Sequence, residues 1–339
     1  SYAANGYLAK VYMKMATESG LSKTSQEYWD LAYQNAKLVY DAKKYNLLTN
    51  YGDLFEEGNE NTQESIFEIQ YFSSGTSTKS GQHSTITSPQ VSEYNSKTSG
   101  GQLRVNRLAL HDHYLDYKVS TKSSHPDPRV EKTYISHGYT EIASPFKDRK
   151  IYPAQFSGGF AINFIKKFAE SSNSNINSDK NRIVFRYADL ILMLAEIENE
   201  RNNITASKSY IKEVLDRANT SLYTQAEIDA IAGGNDLRIR IGKERAYELL
   251  GEGHEWFDLR RIKNGAMTFL ESQILRRQDL MTGADLFDTK NKTKFHNVWN
   301  PDLSIVIGSQ LIKNYYFPIP TNEIIGNNKL TNADQNPGY

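Results

Sequence analysis

The sequence predicts a mainly α-helical protein in which helical hairpins support long irregular loops and a few short strands. Two pairs of segments carry apolar residues at helical spacing. Between them, "ESIFEIQYF" (64–72) alternates apolar and polar residues like a strand. After it, "SSGTSTKSGQHSTITSPQVSEYNSKTSGG" has almost nothing to bury.

The first helix is expected over 2–19, where Tyr2, Leu8, Val11, Tyr12 and Met15 recur near helical spacing and Gly20 closes the run. The second covers 25–42, with Tyr28, Leu31, Ala32, Ala36, Val39 and Tyr40. Small Ala32 and Ala36, four residues apart, allow the two helices to pack closely as a tetratricopeptide-like hairpin. A second pair follows: "RYADLILMLAEIENE" from Arg186, in which Leu190, Met193, Leu194 and Ile197 share a face, then "ASKSYIKEVLDRAN" from Ala206. Asn202 and Asn203 break the helix between them. Two pairs are too few for a free-standing solenoid, so each must pack on something else. "SHPDPRVEKTY" reads as extended and "SSNSNINSDK" (171–180) as a polar linker. A helix is expected near 266–278, and Pro318, Pro320 and Pro337 exclude a long helix at the end.

Composition narrows the function. The 339 residues are 38% hydrophobic and 24% charged, with Lys+Arg and Asp+Glu both 40. That balance argues against nucleic acid as a partner, because phosphate binding needs a basic surplus. Cysteine is absent, which removes disulfides, thiol nucleophiles and cysteine–zinc sites. The opening "SYAANGYLAKVYMKMA" has neither initiator Met nor an apolar signal segment, and reads as a fragment or processed product. Tyrosine is abundant at 22 residues, which suits sugar or interface contacts as well as a half-buried core.

"HEWFD" (254–258) matches the zinc-protease motif H-E-x-x-H with its second histidine replaced by Asp258. His254 and Asp258 could reach one metal, but nothing in the sequence specifies a third ligand. The structural alternative is local: Asp258 offsets the helix dipole and pairs with Arg261. Zinc and hydrolysis are therefore not expected. On a helix starting near His254, Trp256, Phe257, Leu259 and Ile262 fill an apolar arc, with His254, Asp258 and Arg261 on the more exposed side. Arg260 projects between Trp256 and Phe257. It is expected to be buried and bonded to Glu244 or Glu248 of the preceding helix, so that Arg260→Ala would cost about 3–5 kcal/mol.

At these residues the chain resembles a known family. "IGKERAYELLGEGHEWFDLRRIKNG" is similar to the hallmark E-R-x-x-E-L-x-x-E-G-x-R-x-x-D-L-x-R of SusD/RagB-type outer-membrane nutrient-binding lipoproteins. Glu244, Arg245, Glu248, Leu249, Glu252, Gly253, Asp258, Leu259 and Arg261 match, while Glu255 stands where the pattern has arginine. "FRYADLILMLAEIENE", "YYFPIPTNEI" and "QNPGY" are similar to three further family segments, in order along the chain. The resemblance implies one SusD-like domain over 1–339, with its N-terminal part, lipoprotein signal and acylated cysteine outside this chain. Within it, 1–63 would hold a helical hairpin, 64–185 the strand and ligand loops, and 186–339 the second hairpin, signature helices and C-terminal segment.

The implied activity is capture of glycan, or sometimes peptide, at the Bacteroidetes cell surface, followed by delivery to a SusC-type TonB-dependent transporter. Such a protein needs no catalytic group, metal or cofactor; it needs aromatic faces for sugar rings and polar hydrogen-bonders around them. A tetratricopeptide-like scaffold binding peptide in a helical groove is the alternative, and the long polar loop and P-I-P segment fit it poorly. Family binding residues sit in variable loops, so the site is read from composition. The 72–103 segment is too long for a simple connector. In it, Phe72 and Tyr94 could stack on a sugar ring, and Gln82, His83 and Asn95 could bond its hydroxyls. The same Ser/Thr/Gly-rich composition also fits a loop that contacts nothing. Trp299 is a separate candidate, either exposed on a late polar loop or packed against the body of the domain.

Overall fold

The computed structural model describes residues 1–71, 104–105, 113, 116, 127–135, 139–141, 150–153, 163–168, 180–218, 224–273 and 318–336. Helices dominate these residues, and their strands are short. Helix α1 (Tyr2–Ala16) starts where the Ser1 hydroxyl accepts the Ala4 amide, and α2 (Ser25–Asp41) starts with a reciprocal Thr24/Glu27 capping box. Gly20, at φ +78°, supplies the left-handed turn between them. Ala32 and Ala36 are fully buried, as close packing of the hairpin requires. The buried face of α1 is Gly6, Ala9, Met13 and Ala16, however, while Leu8 and Val11 point outward. Small residues decide this face, because the neighbouring chain approaches closely. A Cβ on Gly6 would lie 2.1 Å from the Phe185 ring.

A 3-10 turn (Tyr51–Phe55) leads to strand β1 (Ser65–Ile69). The short elements that follow are β2 (Arg104–Val105), α3 (Arg129–Thr133), β3 (Tyr134–Ile135), β4 (Tyr139–Glu141), β5 (Lys150–Pro153) and β6 (Asn163–Ile165). β6 lies between β2 and β3, β4 pairs with β5, and all these pairings are antiparallel. β7 (Arg182–Arg186) returns antiparallel to β1, with Ser65 opposite Arg186 and Ile69 opposite Arg182. It runs straight into α4 (Tyr187–Glu200), whose N-cap is Arg186.

α4 is the axis of the molecule. Every residue from Tyr187 to Asn199 is buried, so the four-residue apolar face read from the sequence understates it. A helix surrounded on all sides must satisfy its polar side chains internally, and Asp189, Glu196 and Glu198 do so through ion pairs. It packs against α2, α5 (Ile204–Arg217) and α7 (Asn235–Glu248). Asn202, at φ +63°, turns the chain from α4 into α5. The short α6 (Gln225–Asp229) has a Thr224/Glu227 capping box. α7 ends at Gly251 and Gly253, both at positive φ, and α8 (Glu255–Arg261) follows.

In place of a helix from 266, residues 263–268 form a hairpin of β8 (Lys263–Asn264) and β9 (Met267–Thr268) turned by Gly265, and helical backbone begins at 269. The short α9 (Thr321–Gly326) follows Pro320, in keeping with the proline-limited end of the sequence. Among the described residues no helix is long and apolar enough to cross a membrane.

Candidate functional site

The C-terminal half of α7 builds the most concentrated polar assembly among the described residues. Glu244, Glu248 and Glu252 recur every four residues, so the two in α7 share a face and Glu252 extends the row past its end. All three are buried. The arginine partner comes from strand β7 rather than from α8. Arg186, with 0% exposure, places Nη1 2.8 Å from Glu64 and 2.7 Å from Glu248, and Nε 2.7 Å from Glu252. Arg129 of α3 reaches Glu244 at 2.6 Å, Glu248 at 2.7 Å and Asp127 at 2.7 Å. Arg217 pairs with Glu64 at 2.7 Å and also with Glu248. Lys167 pairs with Glu252 at 2.8 Å, and Arg240 with Glu244 at 2.8 Å.

Cations and carboxylates balance in this cluster. Arg129, Lys167, Arg186, Arg217 and Arg240 face Glu64, Asp127, Glu244, Glu248 and Glu252. Such matching is required, since an unpaired buried charge is costly. The Glu248 carbonyl, at the negative end of α7, accepts from Arg186, Lys167 and the Tyr51 hydroxyl at 2.7, 2.9 and 3.0 Å. His113 stacks on Tyr247 with ring centroids 4.3 Å apart, and its Nε2 lies 2.7 Å from Asp127.

Burial alone would push these carboxyls up. The guanidinia of Arg217, Arg186 and Arg129 outweigh it at Glu248 and hold that group well below the carboxylate range. Arg186 and Lys167 likewise bring Glu252 down to about 2. Groups locked in the ionised form are poor proton donors at neutral pH. The cluster therefore ties α3, β1, β7, α5 and α7 together, and its chemistry is architectural.

A second cluster holds α8. Asp189 of α4 lies 2.6 Å from Lys10 and 2.9 Å from Arg245, and the His254 ring is 3.7 Å away. Burial pushes the His254 imidazole below its ordinary value, against the pull of Asp189. Asp258 accepts from Arg245 at 2.8 Å and from Arg261 at 3.0 Å, and Arg261 also forms a two-point pair with Glu196. The Asp258 carboxylate is thus held by two guanidinia. The His254/Asp258 spacing is explained by these contacts without a metal, and Asp258 pairs with Arg261 as the structural reading of "HEWFD" expected.

The apolar pattern predicts the faces of α8 only in part: Ile262 is buried and Leu259 partly so, but the aromatic and charged residues are exchanged. His254, Asp258 and Arg261 face the molecule, while Trp256 is 37% and Phe257 59% exposed. Arg260 is partly exposed. Its Nε donates to the Trp256 carbonyl at 3.2 Å, and its guanidinium sits 5.0 Å from the Trp256 ring centre and 5.5 Å from that of Phe257. Glu244 and Glu248 take their partners from β7, α3, α5 and α7 instead. The charged face wins because Asp189, Glu196 and Arg245 already lie buried opposite α8 and need counter-ions more than the aromatic rings need burial. Arg260→Ala is consequently expected to cost less than the about 3–5 kcal/mol of a broken buried pair, because the residue is only partly buried. A urea midpoint displaced by that full amount would contradict this placement.

The sequence-predicted binding residues Phe72, Gln82, His83, Tyr94, Asn95 and Trp299 lie outside the described residues. The structural residues Glu244, Glu248, Asp258 and Arg261 fall within the two clusters, and Trp256 and Arg260 on the outer face of α8. Sequence reading missed Arg129, Lys167 and Arg186. The signal that could have found Arg186 is a charged residue at the junction of an apolar strand and an apolar helix, where burial is expected on both sides.

The family model of the SusD family matches residues 63–339. The chain belongs to the SusD family. SusD-like protein P2 of Formosa agariphila is 23% identical over 99% of this chain and 59% of its own length. Among solved structures, a SusD homolog from Bacteroides thetaiotaomicron superposes with a TM-score of 0.65 at 20% identity, covering 100% of this chain and 64% of that one. A protein solved with a xylogluco-oligosaccharide superposes with a TM-score of 0.63 at 21% identity, covering 96% of this chain and 65% of that one. This SusD-family chain thus spans about three-fifths of the length of the relatives it matches. Membership accounts for the family hallmark in physical terms: Glu244, Glu248 and Glu252 anchor the first cluster, and Arg245, Asp258 and Arg261 the second.

Proposed function

We propose that this chain is the greater part of a cell-surface glycan-binding protein that captures oligosaccharide and hands it to a SusC-type TonB-dependent transporter in the outer membrane. The observation that carries the reading is the family match over 63–339, and the neighbouring fold solved with a xylogluco-oligosaccharide supports the ligand class. The chain acts as one SusD-like domain of an outer-membrane lipoprotein, without metal or cofactor. Its ion clusters hold the scaffold rigid, and ligand contacts are made from loops that the scaffold presents.

Phe72 and Tyr94, with Gln82, His83 and Asn95 around them, and separately Trp299, are the proposed sugar contacts. A glycan array on the chain identifies the ligand, and calorimetry with that ligand tests the contacts. Tyr94→Ala and Trp299→Ala are each expected to weaken binding by about 1–2 kcal/mol, the scale of a lost aromatic contact. Unchanged affinity in both would remove this site assignment. Co-purification of the full-length lipoprotein from membranes tests the transporter partnership, and recovery without any TonB-dependent barrel would count against it.

A further inference from the structure

A shallow cleft lies beside the charged core, between the 3-10 turn and the β1/β7 sheet. Leu54 and Ile183 line its apolar base, and Phe55 and Phe168 form an aromatic wall, half-buried with ring centres 6.5 Å apart in edge-on contact. Phe55 is held from behind. Its ring packs 5.4 Å from the Tyr51 ring, and the buried Lys167 ammonium lies 5.1 Å from its centre. The opposite rim is built from hydrogen-bond acceptors. Asn181 fixes it, donating from its backbone to Glu60 at 2.6 Å and from its side chain to Glu68 at 3.1 Å. Among the described residues, Glu60 accepts only that one bond, and the Asn59 side chain makes only its donor bond to the Asp53 carbonyl, at 3.0 Å. Both stand exposed at the mouth of the cleft. Lys180 adds one positive charge to the lining, its ammonium donating to the Phe55 carbonyl at 2.6 Å.

Each part of this arrangement restricts the ligand. Half-buried rings attract a C–H face or another apolar surface. Acceptors at the mouth require hydroxyl or N–H donors. The carboxylates of Glu60 and Glu68 outnumber the Lys180 ammonium and disfavour an anion brought into the cleft. A shallow groove contacts one face of a ring and leaves the other in solvent. A neutral pyranose meets all these conditions, with axial C–H groups on one face and donor hydroxyls around its edge.

We propose that this cleft is a glycan subsite for one neutral sugar residue, with the Phe55–Phe168 wall against its C–H face and Asn59 and Glu60 as hydroxyl acceptors. The proposal rests on the glycan-binding reading above and uses none of the residues named there as contacts.

The test is calorimetry on the whole chain with a xylogluco-oligosaccharide, a malto-oligosaccharide and an oligogalacturonate, repeated for Asn59→Ala, Glu60→Gln and Phe168→Leu. Asn59 and Glu60 are exposed, so their variants are expected to melt like the parent chain. Each of the three variants should weaken the neutral ligand about three- to tenfold, and Glu60→Gln should narrow the preference for neutral over uronate chains. If Phe168→Leu fails to fold, the two rim variants decide the question. Neutral-sugar affinity unchanged in the rim variants, or oligogalacturonate bound as tightly as the neutral chains, would overturn the subsite while leaving the glycan reading standing. No binding of any probe by the parent chain would remove that reading, and the subsite with it.

Discussion

Glu248→Ala is expected to destabilise the fold by about 3–5 kcal/mol, the range found when one partner of a buried ion pair is removed. Glu248 is shared by Arg129, Arg186 and Arg217, whose side chains are all buried. Its removal leaves positive charge where water cannot reach. The loss is a large share of the roughly 5–15 kcal/mol that hold a typical domain together. Urea denaturation followed by circular dichroism measures it. A midpoint equal to that of the parent chain would mean that the cluster does not carry the scaffold. The contrast with Arg260→Ala, one helix away, is the informative comparison, since Glu248 is a hallmark residue and Arg260 fills a variable position of the same stretch.

Steep acid unfolding is the second expectation. Glu248, Glu252, Asp127, Asp189 and Asp258 all titrate below their ordinary values in the fold, because guanidinium, ammonium or imidazole groups face them. A carboxyl whose folded pKa is depressed contributes stability that is complete above its unfolded value and is lost as pH falls toward the folded one. For Glu252 that window runs from 4.5 down to about 2. His254 starts the decline earlier. Burial lowers its pKa from 6.5, so the unfolded chain takes up that proton first as pH falls. Glu213 and Glu255, which burial raises, act in the opposite direction and are fewer. Melting temperature should therefore fall slightly below pH 6.5 and sharply below about 4.5. A melting temperature unchanged down to pH 3 would contradict the ionised state assigned to the core.

Local structure was readable where one rule decided it. Helices α1 and α2 end within three residues of the expected limits, because Ser1, Thr24 and Gly20 mark their ends in the local sequence. The Ala32/Ala36 pair announced the close hairpin, and strand β1 falls inside the alternating run. The orientation of helices was less legible. Periodicity assigns the apolar face to the core, yet α8 turns its aromatic face outward. The reason lies in residues far away in sequence: Asp189, Glu196 and Arg245 supply buried counter-charges that a local pattern cannot register. The Arg186–Glu64 pair joins residues 122 positions apart, so spacing could not have revealed it. Glutamates at 244, 248 and 252 form a visible row, but most of their partners lie far along the chain, and the apolar arc points to Arg260 instead. The family hallmark identified the chain through residues that build the scaffold, whereas ligand contacts depend on loops that follow no pattern.

We propose that this chain binds sugar and does not transform it, with the acidic residues of its family hallmark committed to the scaffold. Product analysis tests this most directly. The chain is incubated for a day with the oligosaccharide that the array selects, binding is confirmed by calorimetry, and the sugar is recovered and sized by chromatography. The account predicts saturable binding with the oligosaccharide recovered at its original length. Shorter products released by the parent chain would contradict it, because a protein read as a binder would then be performing chemistry.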